Sequence, residues 1–153
     1  RMIRILFVCH GNICRSPMAE NVFRERALAA GLQVLSDSAA VSAEELGSGM
    51  YPAAREKLRR EGVRIQPHRA RLLERADYDR FDRIYGMDKS NLRGMMRILG
   101  GDPAGKVGLL LECAGIARDI ADPWYTGDFD RAYADIVAGC DGLIQMLKEG
   151  KRK

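Results

Sequence analysis

A near-continuous apolar run at residues 3–8, followed at once by polar residues and glycine, constrains the fold of this chain more than any other feature. Such a run is typical of a strand buried on both faces of a parallel sheet. Ser16 and Pro17 then predict the start of a helix, because serine can cap a helix and proline is favoured at its first position. The chain continues to alternate apolar and amphipathic stretches, which predicts an α/β fold with a covered sheet.

The spacing of these stretches predicts a four-stranded parallel sheet flanked by helices in a three-layer fold. The further strands are predicted at residues 33–38, 81–85 and 107–111, and the further helices at residues 52–60, 88–99 and 129–148. The 153 residues contain no repeat, linker or low-complexity stretch, so we expect residues 1–153 to form a single domain.

The charge balance is compatible with an anionic substrate but does not indicate a nucleic acid partner. The chain carries 25 basic and 21 acidic residues, a net charge of +4. This excess is small and evenly spread. Its one basic cluster is the tail Lys151, Arg152 and Lys153, which we interpret as a solvated end.

The apolar runs and the cysteines predict a cytoplasmic protein without a membrane partner. No apolar run is long enough to span a bilayer, and the first run is not followed by a cleavage site for secretion. The four cysteines are unevenly spaced, which is typical of reduced thiols rather than a disulfide framework.

A segment with the pattern Cys, five residues, then Arg joins the first predicted strand to the first predicted helix, as Cys9 and Arg15. The spacing alone is a weak signal, because arginine is frequent in this chain. The placement is more informative, since ligands of parallel sheets bind at the carboxyl ends of strands and helix amino termini bind anions. The residues alone leave a second interpretation open, with Cys9 a buried strand-end cysteine and Arg15 a surface residue.

The residue types in this segment suit a tetrahedral oxyanion. Gly11 and Asn12 tolerate the backbone conformations that let successive N–H groups surround one point. Arg15 offers a planar fork for two phosphate oxygens. Cys9 would lie at the base of this loop, where the positive field favours the thiolate, and Ser16 could donate a hydrogen bond to its sulfur.

Residues 8–20 resemble the signature of the low-molecular-weight protein tyrosine phosphatases, and further blocks of the chain resemble that family in the same order. These blocks are residues 37–40, 67–71, 87–92 and 122–125. Together they span nearly the whole chain. The resemblance implies the predicted fold, with a phosphate-binding loop between the first strand and the first helix.

The resemblance also implies a two-step hydrolysis without metal or cofactor. Cys9 would attack phosphorus to give a cysteinyl-phosphate, and Asp122 would serve as general acid and base. By the residues alone, Asp122 is one of several candidates for that acid, with Asp119 and Asp128 nearby. The expected phosphate-binding residues are His10, Gly11, Asn12, Ile13, Cys14, Arg15 and Ser16. The expected substrate is a phosphotyrosine-containing protein or a small aryl phosphate, with inorganic phosphate as product.

Other positions are assigned by the same resemblance. The expected substrate walls are Trp124, Tyr125 and Glu44, and the residues expected to brace the loop are Ser38, His68 and Asp88. By composition alone, the single tryptophan would more often belong to the core. Glu44 stands where many relatives carry an aromatic or apolar residue, so we expect acidic phosphopeptides to be disfavoured.

Cys14 matches a second loop cysteine of the family, and a Cys9–Cys14 disulfide could protect the nucleophile from further oxidation. Cys113 and Cys140 are expected in the core. We expect a monomer.

Three alternative functions share part of this pattern. Arsenate reductases of the same fold have a further close cysteine pair, whereas Cys113 and Cys140 are far apart in the sequence. Arginine-phosphate phosphatases tend to carry threonine where this chain has Ile13. A phosphoprotein-binding or redox-sensing module would not need Asp122.

Overall fold

The computed structural model describes residues 1–150, and the basic tail noted above lies outside them. Its sheet has four parallel strands in the order β2-β1-β3-β4. The strands are β1 Ile3–Cys9, β2 Val34–Ala40, β3 Arg83–Gly86 and β4 Val107–Leu109. The predicted four-stranded parallel sheet is therefore confirmed.

Helices cover both faces of the sheet. They are α1 Arg15–Ala29, α2 Pro52–Arg60, α3 Asp77–Arg80, α4 Lys89–Leu99, α5 Pro123–Thr126 and α6 Phe129–Lys148, with a 3-10 helix at Leu110–Ala114. The bounds predicted for α2 and α6 agree with the structure. Across residues 1–150, no helix combines the length and apolarity that a membrane span requires.

The predicted start of α1 was wrong. The helix begins at Arg15, its N-cap is Cys14, and no side chain caps it. Ser16 lies inside the first turn and its hydroxyl faces Cys9 and Asn12 instead. The serine that suggested a cap therefore belongs to the loop's own hydrogen-bond network.

Two predicted strands were too long. β3 begins only at Arg83, because Phe81 is still the C-cap residue of the short helix α3, and it extends one residue beyond the prediction, to Gly86. β4 ends at Leu109, and the next residues, Leu110 and Leu111, lie fully buried in the 3-10 helix. A short apolar run does not distinguish a buried strand from a buried helical turn.

The side-chain alternation of β1 divides the core between the two faces of the sheet. Ile5, Phe7 and Cys9 lie in one cluster with residues of α1 and α6. Leu6 and Val8 lie in the other, with residues of α4. Since successive strand residues point to opposite faces, β1 is buried on both faces from Ile5 onward and ends with Cys9 on the α1 side.

The two cysteines outside the first loop belong to that first cluster. Cys140 of α6 is fully buried, and Cys113 is half-buried and packs against the cluster. Both positions agree with the core location expected from the sequence.

Helix α6 approaches the 3-10 helix closely at two glycines. A Cβ added to Gly142 would lie 2.3 Å from the carbonyl oxygen of Cys113, and one added to Gly139 would lie 2.7 Å from Leu110 Cγ. The Gly142 contact is with backbone, which cannot rotate away. This close approach brings the last helix onto the sheet.

We therefore expect Gly142→Ala to lower the free energy of unfolding by about 2 kcal/mol, the usual cost of overpacking. Helix propensity alone would predict the opposite, a gain of about 1 kcal/mol. Urea denaturation measures the difference, and Ala134→Gly, at an exposed position of the same helix, measures the propensity term. A stabilised Gly142→Ala protein would contradict the close approach.

Candidate active site

The candidate site lies at the carboxyl end of β1, where the strand order changes direction. The chain runs from β1 to β2 on one side of the sheet and later returns to β3 on the other. Ligands of open α/β sheets bind at such a switch point. Residues 10–14 form the loop from β1 to α1 at this point. The loop that follows β2 is hydrogen-bonded to it, because the backbone N–H groups of Val41 and Ser42 donate to the carbonyl oxygens of Cys9 and His10.

Cys9 lies at the base of this loop, ahead of the amino terminus of α1. Its side chain is 3% exposed. The backbone N–H of Asn12 donates to Cys9 Sγ at 3.3 Å, and Ser16 Oγ lies 3.0 Å from the same sulfur. A helix amino terminus carries partial positive charge, so this position stabilises a negative sulfur.

Asn12 holds the loop in shape. It is fully buried and has φ +60, a left-handed conformation that asparagine tolerates better than most residues. Its Nδ2 donates to Ser16 Oγ at 2.8 Å and to Ser38 Oγ at 2.9 Å, and its Oδ1 accepts from the backbone N–H of Arg71 at 3.1 Å. His68 Nε2 lies 2.6 Å from its carbonyl oxygen. The structure thus brings Ser38 and His68 to the loop.

Arg15 is the largest fully buried side chain, at 1% exposed. Its Nη1 donates to Asp88 Oδ2 at 2.8 Å and to the carbonyl oxygen of Ile120 at 2.7 Å, and its Nη2 donates to Asp122 Oδ2 at 3.3 Å. Its Nε is buried and finds no acceptor among the described residues.

The electrostatic environment keeps Arg15 charged. Burial by itself would lower the pKa of Arg15. The negative charges of Cys9, Asp122 and Asp88 have the larger combined effect and raise this pKa above its ordinary value. The site therefore contains a permanent buried cation whose Nε has no acceptor among the described residues.

Asp88 has two partners, which fix its position. Besides accepting from Arg15, it caps α4 by accepting from the backbone N–H of Asn91 at 2.7 Å, and Asn91 Oδ1 accepts in return from the backbone N–H of Asp88. This reciprocal capping box anchors the carboxylate that pairs with the guanidinium.

A cleft opens above Cys9. Its lining residues are Cys9, His10, Gly11, Ile13, Cys14, Glu44, Glu45, Asp122, Trp124 and Tyr125. The sequence analysis predicted every one of these residues for the site except Glu45. Asp119 and Asp128, the other candidate acids, do not line it. Asp119 instead accepts from the backbone N–H of Lys89, and Asp128 from that of Arg131.

Trp124 belongs to the cleft and not to the core. Its side chain is 51% exposed, and its ring meets that of Tyr51 edge to face, with centroids 5.0 Å apart. Tyr51 in turn stacks on Phe129 at 6.1 Å. Tyr51 therefore supports the aromatic wall. No local sequence pattern predicts this role of Tyr51.

The remaining cleft side chains give its rim an acidic character. Glu44 Oε1 lies 3.3 Å from His10 Nε2, and both side chains are exposed. Glu45 packs against Gly11, where an added Cβ would lie 3.5 Å from its Cγ. Sequence reasoning missed Glu45 because only the fold of its loop brings both adjacent glutamates to the cleft.

Cys14 lies in the same loop as Cys9. Burial, followed by the negative charges attributed to Cys9 and Asp122, raises the pKa of Cys14 to about 12. Cys14 is therefore a thiol at neutral pH. Neither Cys113 nor Cys140 lines the cleft, so the structure brings only Cys14 near Cys9 among the four cysteines.

Comparison with known proteins identifies the family. The family described as Low molecular weight phosphotyrosine protein phosphatase matches residues 4–153. The chain belongs to this family.

Individual relatives agree over nearly full length. The chain is 37% identical to a low molecular weight protein-tyrosine-phosphatase, YfkJ, of Bacillus subtilis, over 99% of both chains. It is 40% identical to a low molecular weight phosphotyrosine protein phosphatase of Schizosaccharomyces pombe, over 95% of this chain and 97% of the other. The crystal structure of YfkJ superposes with a TM-score of 0.93 at 36% identity, covering 99% of this chain and 98% of YfkJ. A Drosophila arginine phosphatase superposes with a TM-score of 0.85 at 32% identity, covering 94% and 97%.

Proposed function

We propose that this chain is a phosphatase that hydrolyses phosphotyrosine monoesters, with Cys9 as the nucleophile, Arg15 as the phosphate-binding cation and Asp122 as the general acid and base. The observation that carries the assignment is the buried Arg15 guanidinium, which lies beside the Cys9 loop with its Nε unsatisfied. A phosphoryl oxygen in the loop would supply the missing acceptor. Family membership supports the same reaction.

In the first step, Cys9 Sγ attacks phosphorus and the bond from phosphorus to the tyrosyl oxygen breaks. Asp122 gives its proton to that oxygen, so tyrosine leaves neutral and a cysteinyl-phosphate remains. Asp122 lines the cleft with Cys9, as this role requires. Charge on the equatorial oxygens is stabilised by Arg15 and the loop N–H groups.

In the second step, water attacks the phosphorus of the cysteinyl-phosphate while the Asp122 carboxylate takes its proton. The sulfur–phosphorus bond breaks, inorganic phosphate forms and Cys9 returns as thiolate. Ser16 Oγ, 3.0 Å from the sulfur, is placed to stabilise that departing charge. No residue outside the loop and Asp122 needs to exchange a proton.

The shape of the cleft supports an aromatic substrate. Trp124 and Tyr125 present exposed rings, and Ile13 contributes an apolar surface near the loop. A phenyl ring would pack between such groups. Phosphoarginine, on which the Drosophila relative's name is based, is the natural comparison substrate because it lacks the ring.

Hydrolysis of p-nitrophenyl phosphate and of a phosphotyrosine peptide, near pH 6 with a chelator present, tests the assignment. We expect turnover by the reduced protein and none by Cys9→Ser. Asp122→Asn should lose about 10²–10⁴-fold in kcat on the peptide. The loss should be smaller for p-nitrophenyl phosphate, because p-nitrophenolate departs more readily without a proton.

The matched control is Asp119→Asn, which keeps an acceptor for the backbone N–H of Lys89 and should retain full activity. Turnover by Cys9→Ser, or equal losses at Asp119 and Asp122, would overturn the residue assignments. Inactive reduced wild type would overturn the enzyme proposal itself. Preferential turnover of a phosphoarginine peptide would replace the proposed substrate.

We further propose that Glu44 and Glu45 bias the site against acidic phosphopeptides. Both line the cleft, while Arg15 is buried and already paired with two carboxylates. The rim therefore presents negative charge although the whole chain is positive.

We expect kcat/KM to be higher for a phosphotyrosine peptide with flanking lysines than for one with flanking glutamates. Replacing both glutamates, Glu44→Gln with Glu45→Gln, should reduce this ratio by about threefold to tenfold, given the usual strength of exposed ion pairs. High salt should reduce it in wild type for the same reason. A ratio unchanged by the two substitutions would show that the rim charge does not select peptides.

We also propose that Cys14 is the resolving thiol for oxidised Cys9. Peroxide would convert the Cys9 thiolate to a sulfenic acid, and Cys14 would then displace water from it to form the disulfide. While Cys9 is negative, it contributes to keeping Cys14 protonated. Sulfenic acid formation removes that charge and favours the attacking thiolate.

Mild peroxide should therefore lower the intact mass by two hydrogens, and dithiothreitol should restore both mass and activity. In Cys14→Ser, the same treatment should add oxygen to Cys9 and activity should not return fully. Oxygen addition to wild type without loss of two hydrogens would contradict this role.

A cysteine nucleophile works only while reduced, which supports action in a reducing compartment, and we place the protein in the cytoplasm. The small, evenly spread charge supports the absence of a nucleic acid or membrane partner, and we propose a monomer.

A further inference from the structure

The hydrogen-bond network behind Cys9 continues to a buried carboxylate that takes no part in the reaction above. Glu20 lies on the inner side of α1 and is 8% exposed. Its Oε1 accepts from Ser38 Oγ at 2.6 Å, and its Oε2 accepts from Arg24 Nη2 at 2.7 Å. Ser38 is the same residue that accepts from Asn12.

We propose that Glu20 is a positioning residue that sets the direction of this network, so that the Ser16 hydroxyl donates its hydrogen to Cys9 Sγ. The inference rests on the proposed function in one respect, that Cys9 reacts as a thiolate. It concerns a residue that touches neither substrate nor sulfur.

The direction begins at Glu20 because a carboxylate can only accept. The Ser38 hydroxyl has one hydrogen, and the 2.6 Å contact assigns that hydrogen to Glu20. Ser38 Oγ is then available to Asn12 only as an acceptor.

Asn12 connects Ser38 to Ser16 through its side-chain amide. Because Ser38 Oγ can only accept, the Nδ2 end of the Asn12 amide faces it, and the Oδ1 end accepts from the backbone N–H of Arg71. Its two Nδ2 hydrogens therefore go to Ser38 and Ser16. Ser16 Oγ accepts one of them, and its own hydrogen remains for Cys9 Sγ at 3.0 Å. Cys9 thus receives two donors, the Ser16 hydroxyl and the Asn12 backbone N–H.

Arg24 stabilises the buried Glu20 carboxylate, which lies in the same hydrogen-bond network as Cys9. Its guanidinium pairs with Glu20, and the same group donates to the carbonyl oxygen of Ser36 and to Asn21 Oδ1. The negative charge of Glu20 is therefore offset locally, and Glu20 acts on Cys9 through hydrogen-bond direction.

The substitution Glu20→Gln tests this role. Arg24 would attract the amide oxygen, which leaves the NH2 group facing Ser38 Oγ. The Ser38 O–H then has no acceptor and points toward the Asn12 NH2 group. Two donors face each other there, which disturbs the Asn12 amide and its hydrogen bond to Ser16. We expect the pH at which Cys9 is half-reactive toward iodoacetate to rise by about one unit, the effect of losing one hydrogen bond to a charged group.

The quantity measured is the amount of labelled Cys9 peptide at each pH. It does not depend on turnover, so the result can be interpreted even if the protein has no phosphatase activity. The control is Glu25→Gln, an exposed carboxylate on the same helix that accepts from the backbone N–H of Arg64. It should label at the wild-type pH. An unshifted labelling curve in correctly folded Glu20→Gln would overturn the proposal.

A double substitution separates direction from simple loss of packing. Ser38→Ala removes the misdirected hydrogen, while Asn12 still donates to Ser16. Glu20→Gln combined with Ser38→Ala should therefore label Cys9 at the same pH as Ser38→Ala alone. Additive shifts from the two substitutions would contradict the proposed mechanism.

A measurement on the wild-type protein covers the case in which Glu20→Gln does not fold. Neutron diffraction from deuterated crystals should place the Ser38 deuteron toward Glu20 and the Ser16 deuteron toward Cys9 Sγ. A Ser38 deuteron directed at Asn12, or a Ser16 deuteron directed away from the sulfur, would overturn the inference.

Discussion

The left-handed backbone of Asn12 is the constraint on which the rest of the site depends. A loop that turns its N–H groups toward one point needs this conformation, which costs most residues about 1–2 kcal/mol. The buried amide of Asn12 offsets the cost by joining α1, β2 and the chain at Arg71 in one network. Each partner comes from a different part of the sequence, so the loop keeps its shape only when the whole fold is in place.

The second constraint is the burial of a permanent charge. Arg15 sits almost without solvent contact, and three carbonyl or carboxylate groups from distant segments, at Asp88, Ile120 and Asp122, surround it. Removing one partner from such a buried pair is expensive, since an uncompensated charge remains. The phosphate site and the stability of its surroundings are therefore coupled. Asp122 belongs to both, as the partner of the guanidinium and as the proposed proton donor.

Sequence reasoning was accurate where one local pattern decides the outcome. The buried run of β1, the long amphipathic helix α6 and the Asp88 start of α4 each depend on nearby residues, and the structure has all three. It was wrong at Ser16, where a residue suited to capping is held by Asn12 and Cys9 instead. It was also wrong beyond Leu109, where the apolar run continues as a 3-10 helix that packs against α6.

The class of fold and the chemical groups of the site follow from the amino-acid sequence, because β1 and the polar segment after it are contiguous in the chain. Family resemblance extended that assignment to Asp122 and the aromatic wall. Which groups from distant segments come into contact depends on how the helices pack on the sheet. No local pattern predicts the contacts of Glu45 on the rim, of Tyr51 with Trp124, of the Ile120 carbonyl with Arg15, or of Glu20 with Ser38. Their roles arise from contacts between segments far apart in the chain, and a local pattern does not encode a contact whose geometry is set by the packing of the whole sheet.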